Sequence, residues 1–153
     1  MKLDRIDHGL LADLQKDARI SNKELAAKNK ISPSTCLERV RRLRSIGAIR
    51  GFHAEVDPKA LGIGVQALIG VRLIQHAQVL FDDLREELLR IPEVTAVYMI
   101  AGAQDVLIHV AVRDVDHLRT LVGQTLTSRR DIAHLETSLI FEHARKAVWP
   151  NYA

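Results

Sequence analysis

Two helix-start signals stand eleven residues apart in the first third of the chain, and together they restrict the fold more than anything else in it. Ser21 is followed by Glu24, the S-x-x-E spacing in which a serine hydroxyl and a glutamate carboxylate reciprocally satisfy main-chain N–H groups at a helix start. Ser32 is followed by Pro33, a serine cap with proline in the first helical position. The first signal predicts a short helix from about Asn22 to Lys28. The second predicts a helix closed by Gly47, where a left-handed end suits glycine. Only three or four residues separate the two. An earlier segment, LDRIDHGLLADLQKDAR, places Ile6, Leu10, Leu11 and Leu14 at helical spacing behind a candidate cap at Asp4. Three helices with a tight second turn describe a tri-helical helix-turn-helix.

The third helix carries unusual charge. Residues 31–50 hold five arginines against one glutamate. At 100° per residue, Cys36, Leu37, Val40 and Leu43 fall in one apolar arc. Ser34, Thr35, Glu38, Arg41 and Arg42 fall opposite, with Arg39 and Arg44 on the flanks. A helix that buries one stripe and displays hydroxyls and guanidinium groups on the other fits the major groove of double-stranded DNA. Ser32, Ser34, Thr35, Glu38, Arg39, Arg41 and Arg42 are the candidate DNA-contacting residues. The alternative is an ordinary amphipathic surface helix. Charge distribution suggests a polyanion partner for the first part of the chain alone, a solvated basic face being the alternative: residues 1–60 carry a net +5 and the remainder −2.

Beyond residue 51 the pattern changes. RGFHAEVDP reads as a short extended hinge ending at Pro58, with a turn at Leu61-Gly62. Strands follow at 65–74, 95–101, 105–113 and 134–143, and helices at 79–91 and 114–126. Val79, Leu80, Leu84, Leu88 and Ile91 mark the buried side of the first of these helices. Leu135, Thr137, Leu139 and Phe141 share one face of the last strand. The order β-α-β-β-α-β is the ferredoxin-like arrangement, with two helices on one face of four antiparallel strands. The fold class is therefore α+β: a helix-turn-helix domain over 1–50, a hinge over 51–64, a β-α-β-β-α-β domain over 65–143 and a tail over 144–153. The uncovered sheet face carries Val65, Ala67, Ile69 and Val71 or their alternates, which are also apolar. A second copy packed sheet to sheet would cover it.

These residues resemble a known family. LD-x-x-D near the start, DARIS (17–21), ELA (24–26), SPSTCLERVRRL (32–43), GAIRGF (47–52) and DPKALG (57–62) are similar to the Lrp/AsnC, or feast/famine, transcription regulators. The resemblance spans nearly the whole chain. It implies a winged-type helix-turn-helix that binds DNA, a hinge strand, and a ferredoxin-like RAM domain that dimerises and senses a small effector, often an amino acid. It implies dimers that assemble into octamers, with the effector between dimers at the loop joining the second and third strands. That loop reads AGAQD, Ala101 to Asp105, and Gly102 and Asp105 match the family's glycine and aspartate. Met99, Ala101, Gly102, Gln104 and Asp105 are the effector-binding candidates that follow. A glycine admits a ligand close to the backbone. An aspartate either pairs with an α-ammonium or fixes the loop through backbone hydrogen bonds. A plain hairpin turn is the alternative reading of the two residues.

The chain departs from the family pattern in three places. Lys30 stands where a glycine usually precedes the recognition helix, so either the turn differs or Asn29 adopts the left-handed conformation. Ala103 and Gln104 replace an aromatic or acidic residue in the loop. Arg130-Asp131-Ile132 replaces Pro-Gly-Val before the last strand.

Other chemistry finds no support. His109, His117, His134 and His143 lack the close spacing of a zinc motif. Cys36 lies on the buried arc, and a single cysteine makes no internal disulfide. Gly62-Ile63-Gly64 is not a phosphate loop. No nucleophile–base or HExxH pattern occurs, so neither an enzyme nor a cofactor is expected. The N-terminus lacks the apolar run of a signal peptide, and no apolar run approaches a membrane span. A cytoplasmic protein with no membrane partner is the expectation. The tail residues Trp149 and Tyr152 either pack on a neighbour in an oligomer or hang free.

Overall fold

The computed structural model describes residues 2–74 and 78–152, with side chains for all of these except 78–80. They form two compact units, one from the N-terminus to Glu55 together with the tail from Ala144, the other Val56–His143.

In the first unit α1 spans Arg5–Lys16, α2 Asn22–Lys28 and α3 Pro33–Ser45. Each starts at the cap its sequence announces. Asp4 accepts the N–H of Asp7, and the Asp7 carboxylate returns the bond to the N–H of Asp4, so the first helix opens with a reciprocal capping box of two aspartates. Ser21 accepts from the N–H of Glu24, without the return bond from the Glu24 carboxylate that the S-x-x-E spacing predicts, and Ser32 accepts from the N–H of Thr35. Gly47 takes φ 75°, as its place after α3 requires. Leu10, Leu25, Ala26, Cys36 and Leu43 form the buried core of the bundle, with Ile6, Leu11, Leu14 and Val40 packed against it. Leu37, expected in the apolar arc, is 41% exposed. Cys36 and Leu43 set the centre of the buried stripe, and Leu37 lies about 100° round the helix from Cys36.

The turn between α2 and α3 resolves the question of Lys30. Lys30 itself takes φ 56°, while Asn29 stays at φ −95°. Asn29 is held elsewhere: its amide donates to Asp13 Oδ2 at 2.9 Å and to the Leu25 carbonyl at 3.0 Å. The left-handed residue is therefore the lysine, at a steric cost a glycine would not incur.

The segment 50–57 has no strand pairing among the described residues, so the expected hinge strand is not formed within this single chain. A strand is defined by a hydrogen-bonded neighbour, and no described element supplies one. A 3-10 turn at Pro58–Leu61 follows, ended by Gly62 at φ 75°.

The second unit holds β1 (Val65–Leu73), α4 (Gln78–Leu89), β2 (Val94–Met99), β3 (Val106–Val112), α5 (Val115–Thr125) and β4 (Ile132–Leu139). The sheet order is β2-β3-β1-β4, antiparallel throughout, the ferredoxin-like topology. Ala67, Ile69, Val71 and Leu73 of β1 and Val106, Ile108, Val110 and Val112 of β3 are buried with Leu84 and Leu88 of α4 and Leu118 and Leu121 of α5. Of the two alternatives for the open face of β1, the helices cover Val65, Ala67, Ile69 and Val71, and the open face takes their alternates, Gln66, Leu68, Gly70 and Arg72. Of these only Leu68 is a large apolar side chain, and Gln66 with the exposed Arg72 is the polar signal that marks the open face. Ile91 packs against the core, whereas Val79 and Leu80 lie outside the described side chains. Leu135, Thr137 and Leu139 share the helix-covered face through their pairing with Val71, Ile69 and Ala67. Phe141 lies beyond the end of β4 and is 97% exposed.

Candidate functional site

The outward side of α3 is sorted by its partners. Ser32, Ser34, Glu38, Arg41 and Arg42 are exposed, and Thr35 and Arg39 are half-buried. The hydroxyls of Ser32, Ser34 and Thr35 are linked, at 2.9 Å from Ser32 to Ser34 and 2.8 Å from Ser32 to Thr35. Ser32 is thus committed to capping, and the outer hydroxyls of Ser34 and Thr35 are ordered by it. Arg39 and Arg42 are not free cations. Arg39 Nη1 donates to Asp4 Oδ2 at 2.7 Å and to Asp7 Oδ1 at 3.0 Å, and Arg42 Nη2 donates to Asp7 Oδ2. The Arg44 guanidinium stacks over the Phe52 ring at 5.9 Å. Neither Arg41 nor Arg44 forms an ion pair among the described residues, and Arg41 also lacks the ring contact that Arg44 makes. Asp7 was missed as a partner, because the two arginines follow it by more than thirty residues and no local rule connects them.

Electrostatics agree with the geometry. The backbone N–H of Asp7 and the Arg39 guanidinium hold the Asp4 carboxyl below the usual carboxylate range. Burial pushes the Asp7 carboxyl up, but the N–H of Asp4 and the two guanidinium groups outweigh it, and the net direction is down.

The loop between β2 and β3 is built against β1. The N–H of Asp105 donates to the Val71 carbonyl at 2.9 Å, and its side chain accepts the N–H of Leu73 at 2.8 Å. Of the two roles open to Asp105, the structure shows it fixing the loop to the strand. Arg72 braces the loop from outside, donating from Nε and Nη2 to the Ala103 carbonyl at 3.1 and 2.8 Å. Gly102 has φ 154°, a conformation L side chains rarely adopt. Gln104 lies over the open sheet face, its Nε2 donating to Glu136 Oε2 at 3.2 Å. Its Oε1 is buried with no hydrogen-bond partner among the described residues, a vacancy for a donor. Met99 is 40% exposed at the end of β2, and Ala101 is exposed at the start of the loop.

The open face also carries an apolar groove lined by Leu68, Tyr98, Ile100, Leu107 and Ile140, with His109 and His143. His109 Nε2 bonds Gln66 Oε1 at 3.0 Å, and its ring centroid is 6.3 Å from that of His143. Burial, then the proximity of His143, lowers the pKa of His109.

Comparison with known proteins decides the family. Residues 3–44 match the AsnC-type helix-turn-helix domain, and residues 66–149 match the Lrp/AsnC ligand binding domain. The chain belongs to the Lrp/AsnC family. It is 46% identical over 145 residues to the HTH-type transcriptional regulator AldR of Mycolicibacterium smegmatis, covering 95% of this chain and 85% of the relative. It is 33% identical to the leucine-responsive regulatory protein of Escherichia coli K12, covering 95% and 88%. Among solved structures it superposes on the AldR named MtbAldR with a TM-score of 0.80 and 36% identity, covering 97% of this chain and all of that one. It superposes on a transcriptional regulator of Neisseria meningitidis in complex with L-Met with a TM-score of 0.84 and 28% identity, covering 95% and 94%. As in this family, the chain is a helix-turn-helix transcriptional regulator with a ligand-binding domain, and not an enzyme. Among the described residues no helix is long and apolar enough to cross a membrane.

Proposed function

We propose that this Lrp/AsnC regulator binds double-stranded DNA sequence-specifically in the cytoplasm and that a small effector, an amino acid, modulates its binding or assembly. The observation that carries the DNA reading is the outward row of α3. Ser34, Glu38 and Arg41 stand exposed, flanked by Thr35 and by Arg42, on a helix rigidly capped at Ser32. Residues near the start of such a helix meet base edges, and arginines pair with guanine or phosphate.

The effector reading rests on the loop. Gly102 opens the backbone, and the orphaned Oε1 of Gln104 awaits a donor such as an α-ammonium. Asp105 holds the loop in place for both. Ala101 begins the loop, whereas Met99, opposite the buried Val106, belongs to the helix-covered face and stands apart from Gln104. The L-Met in the Neisseria structure supports an amino acid as the class of ligand. The apolar groove on the open sheet face supports a homodimer packed sheet to sheet, and assembly of dimers to an octamer follows the family pattern.

Fluorescence anisotropy on DNA upstream of its own gene, against a scrambled duplex at one salt near physiological, tests the first part. Preference for the native duplex is expected, and equal weak binding to both would remove sequence specificity at that site. Titrating the twenty amino acids into the complex tests the second. Effector and DNA must change each other's affinity by the same factor, so a complex indifferent to all twenty refutes an amino-acid effector.

A further inference from the structure

Asp7 is the one buried charged side chain among the described residues. It sits in the first turn of α1 yet faces α3. Its carboxylate receives the N–H of Asp4 at 3.1 Å, Nη1 of Arg39 at 3.0 Å and Nη2 of Arg42. Asp4 adds a second carboxylate to Arg39 at 2.7 Å. Thr35, Arg39 and Arg42 form one row along α3, spaced four and three residues apart. The clamp therefore grips the flank where the helix passes from its core stripe to its outward face.

The clamp is neutral overall, two carboxylates against two guanidinium groups. It adds little to the attraction for a polyanion. What it supplies is position. A free arginine samples many rotamers and meets phosphates as a mobile charge, whereas a guanidinium held at one nitrogen presents its remaining N–H donors in a fixed plane. The Arg42 side chain is 47% exposed while held by a fully buried carboxylate. It is anchored at one end and open at the other.

We propose that Asp7 is a positioning residue for DNA recognition, holding Arg39 and Arg42 so that they discriminate between sequences. This rests on the sequence-specific reading above. Charge and position pull in opposite directions when Asp7 becomes asparagine. Loss of a negative charge strengthens binding to any duplex. Release of the two arginines erodes discrimination. A carboxylate that merely stabilises the fold would leave the discrimination unchanged once the domain is folded, whatever the loss of its charge does to overall affinity.

The test uses a duplex that the wild-type chain enriches from a randomised pool, and a scrambled duplex of the same composition. Wild type, Asp7→Asn and Arg39→Lys are titrated with both at one salt, at a temperature where circular dichroism shows each variant folded. In Asp7→Asn the affinity ratio between the two duplexes is expected to fall roughly tenfold, the scale of one good bidentate contact, while the scrambled duplex binds at least as tightly as before. A ratio equal to that of wild type overturns the proposal and leaves sequence-specific binding standing. A wild-type chain that enriches no sequence overturns both. Should Asp7→Asn not fold, Arg39→Lys decides: it keeps the charge but loses the planar fork, and an unchanged ratio in it overturns the proposal.

Discussion

Gln104 lies directly across Gly70: a Cβ added at position 70 would stand 3.0 Å from Gln104 Cγ and 3.2 Å from its Cδ. The bare strand position is what lets the loop side chain reach Glu136 on β4. The glycine of β1 and the glutamine of the β2–β3 loop thus form one device, although 34 positions separate them.

Gly70→Ala is expected to separate fold from effector response. The methyl group crowds Gln104, which must shift by a few tenths of an ångström, but alanine costs less backbone entropy than glycine in a strand, by roughly 0.5–1 kcal/mol. Thermal denaturation should therefore stay near wild type. Amino-acid titration of the DNA complex should show a weakened response. A normal response in a folded variant would remove Gln104 from the effector site.

Lys30→Gly should stabilise the first unit. The left-handed conformation at φ 56° costs a lysine about 1–2 kcal/mol, part of which glycine returns as lost chain entropy. Urea denaturation should show a gain of about 0.5–1 kcal/mol. A loss would mean that the Lys30 side chain makes a compensating contact.

Arg41 and Arg42, adjacent in sequence, should behave differently on truncation. Arg41→Ala removes an exposed cation with no described ion pair, so stability should hold while the salt slope of DNA binding drops by about one unit. Arg42→Ala also leaves the buried Asp7 carboxylate short of a donor. A stability loss of about 1 kcal/mol is expected, since half the Arg42 side chain is already in water. A sequence wheel alone makes Arg42→Ala neutral for folding. Equal stability of the two variants would vindicate that simpler view.

His109 predicts the direction of pH dependence in the second unit. Its pKa is lowered in the fold by burial and by His143, so the folded state favours the neutral ring. The stability tied to that neutral ring is present above the ordinary histidine value, about 6.5, and is lost as pH falls through it toward the folded value. Thermal midpoints should decline from pH 7.5 toward 5.5, and His109→Gln should flatten the decline. An unchanged slope in that variant would assign the dependence to another group.

Much of this protein is local. Ser21 with Glu24, Ser32 with Pro33, and Gly47 announce their helix ends because a cap is a bond between residues two to four apart, and chain order alone supplies it. The β-α-β-β-α-β order follows from the same kind of periodicity. The loop proposed for the effector is marked in the sequence by a glycine and an aspartate three apart, but only through its resemblance to a family.

Tertiary structure decided the rest. Alternation along β1 separates Ala67, Ile69 and Val71 from Gln66, Leu68 and Arg72, but that the first set meets α4 and α5 is settled by packing. Whether Asp105 would hold a ligand or its own loop depended on where Leu73 lay in space. A helical wheel gives Arg39 and Arg42 to solvent, yet Asp4 and Asp7 come to meet them from α1, more than thirty residues earlier. A sequence states which side chains carry charge and how the nearest residues repeat. Which charges are spent inside the fold, and which remain for a partner, is settled only when distant segments are packed together, because a buried carboxylate must find its cations wherever the chain has brought them.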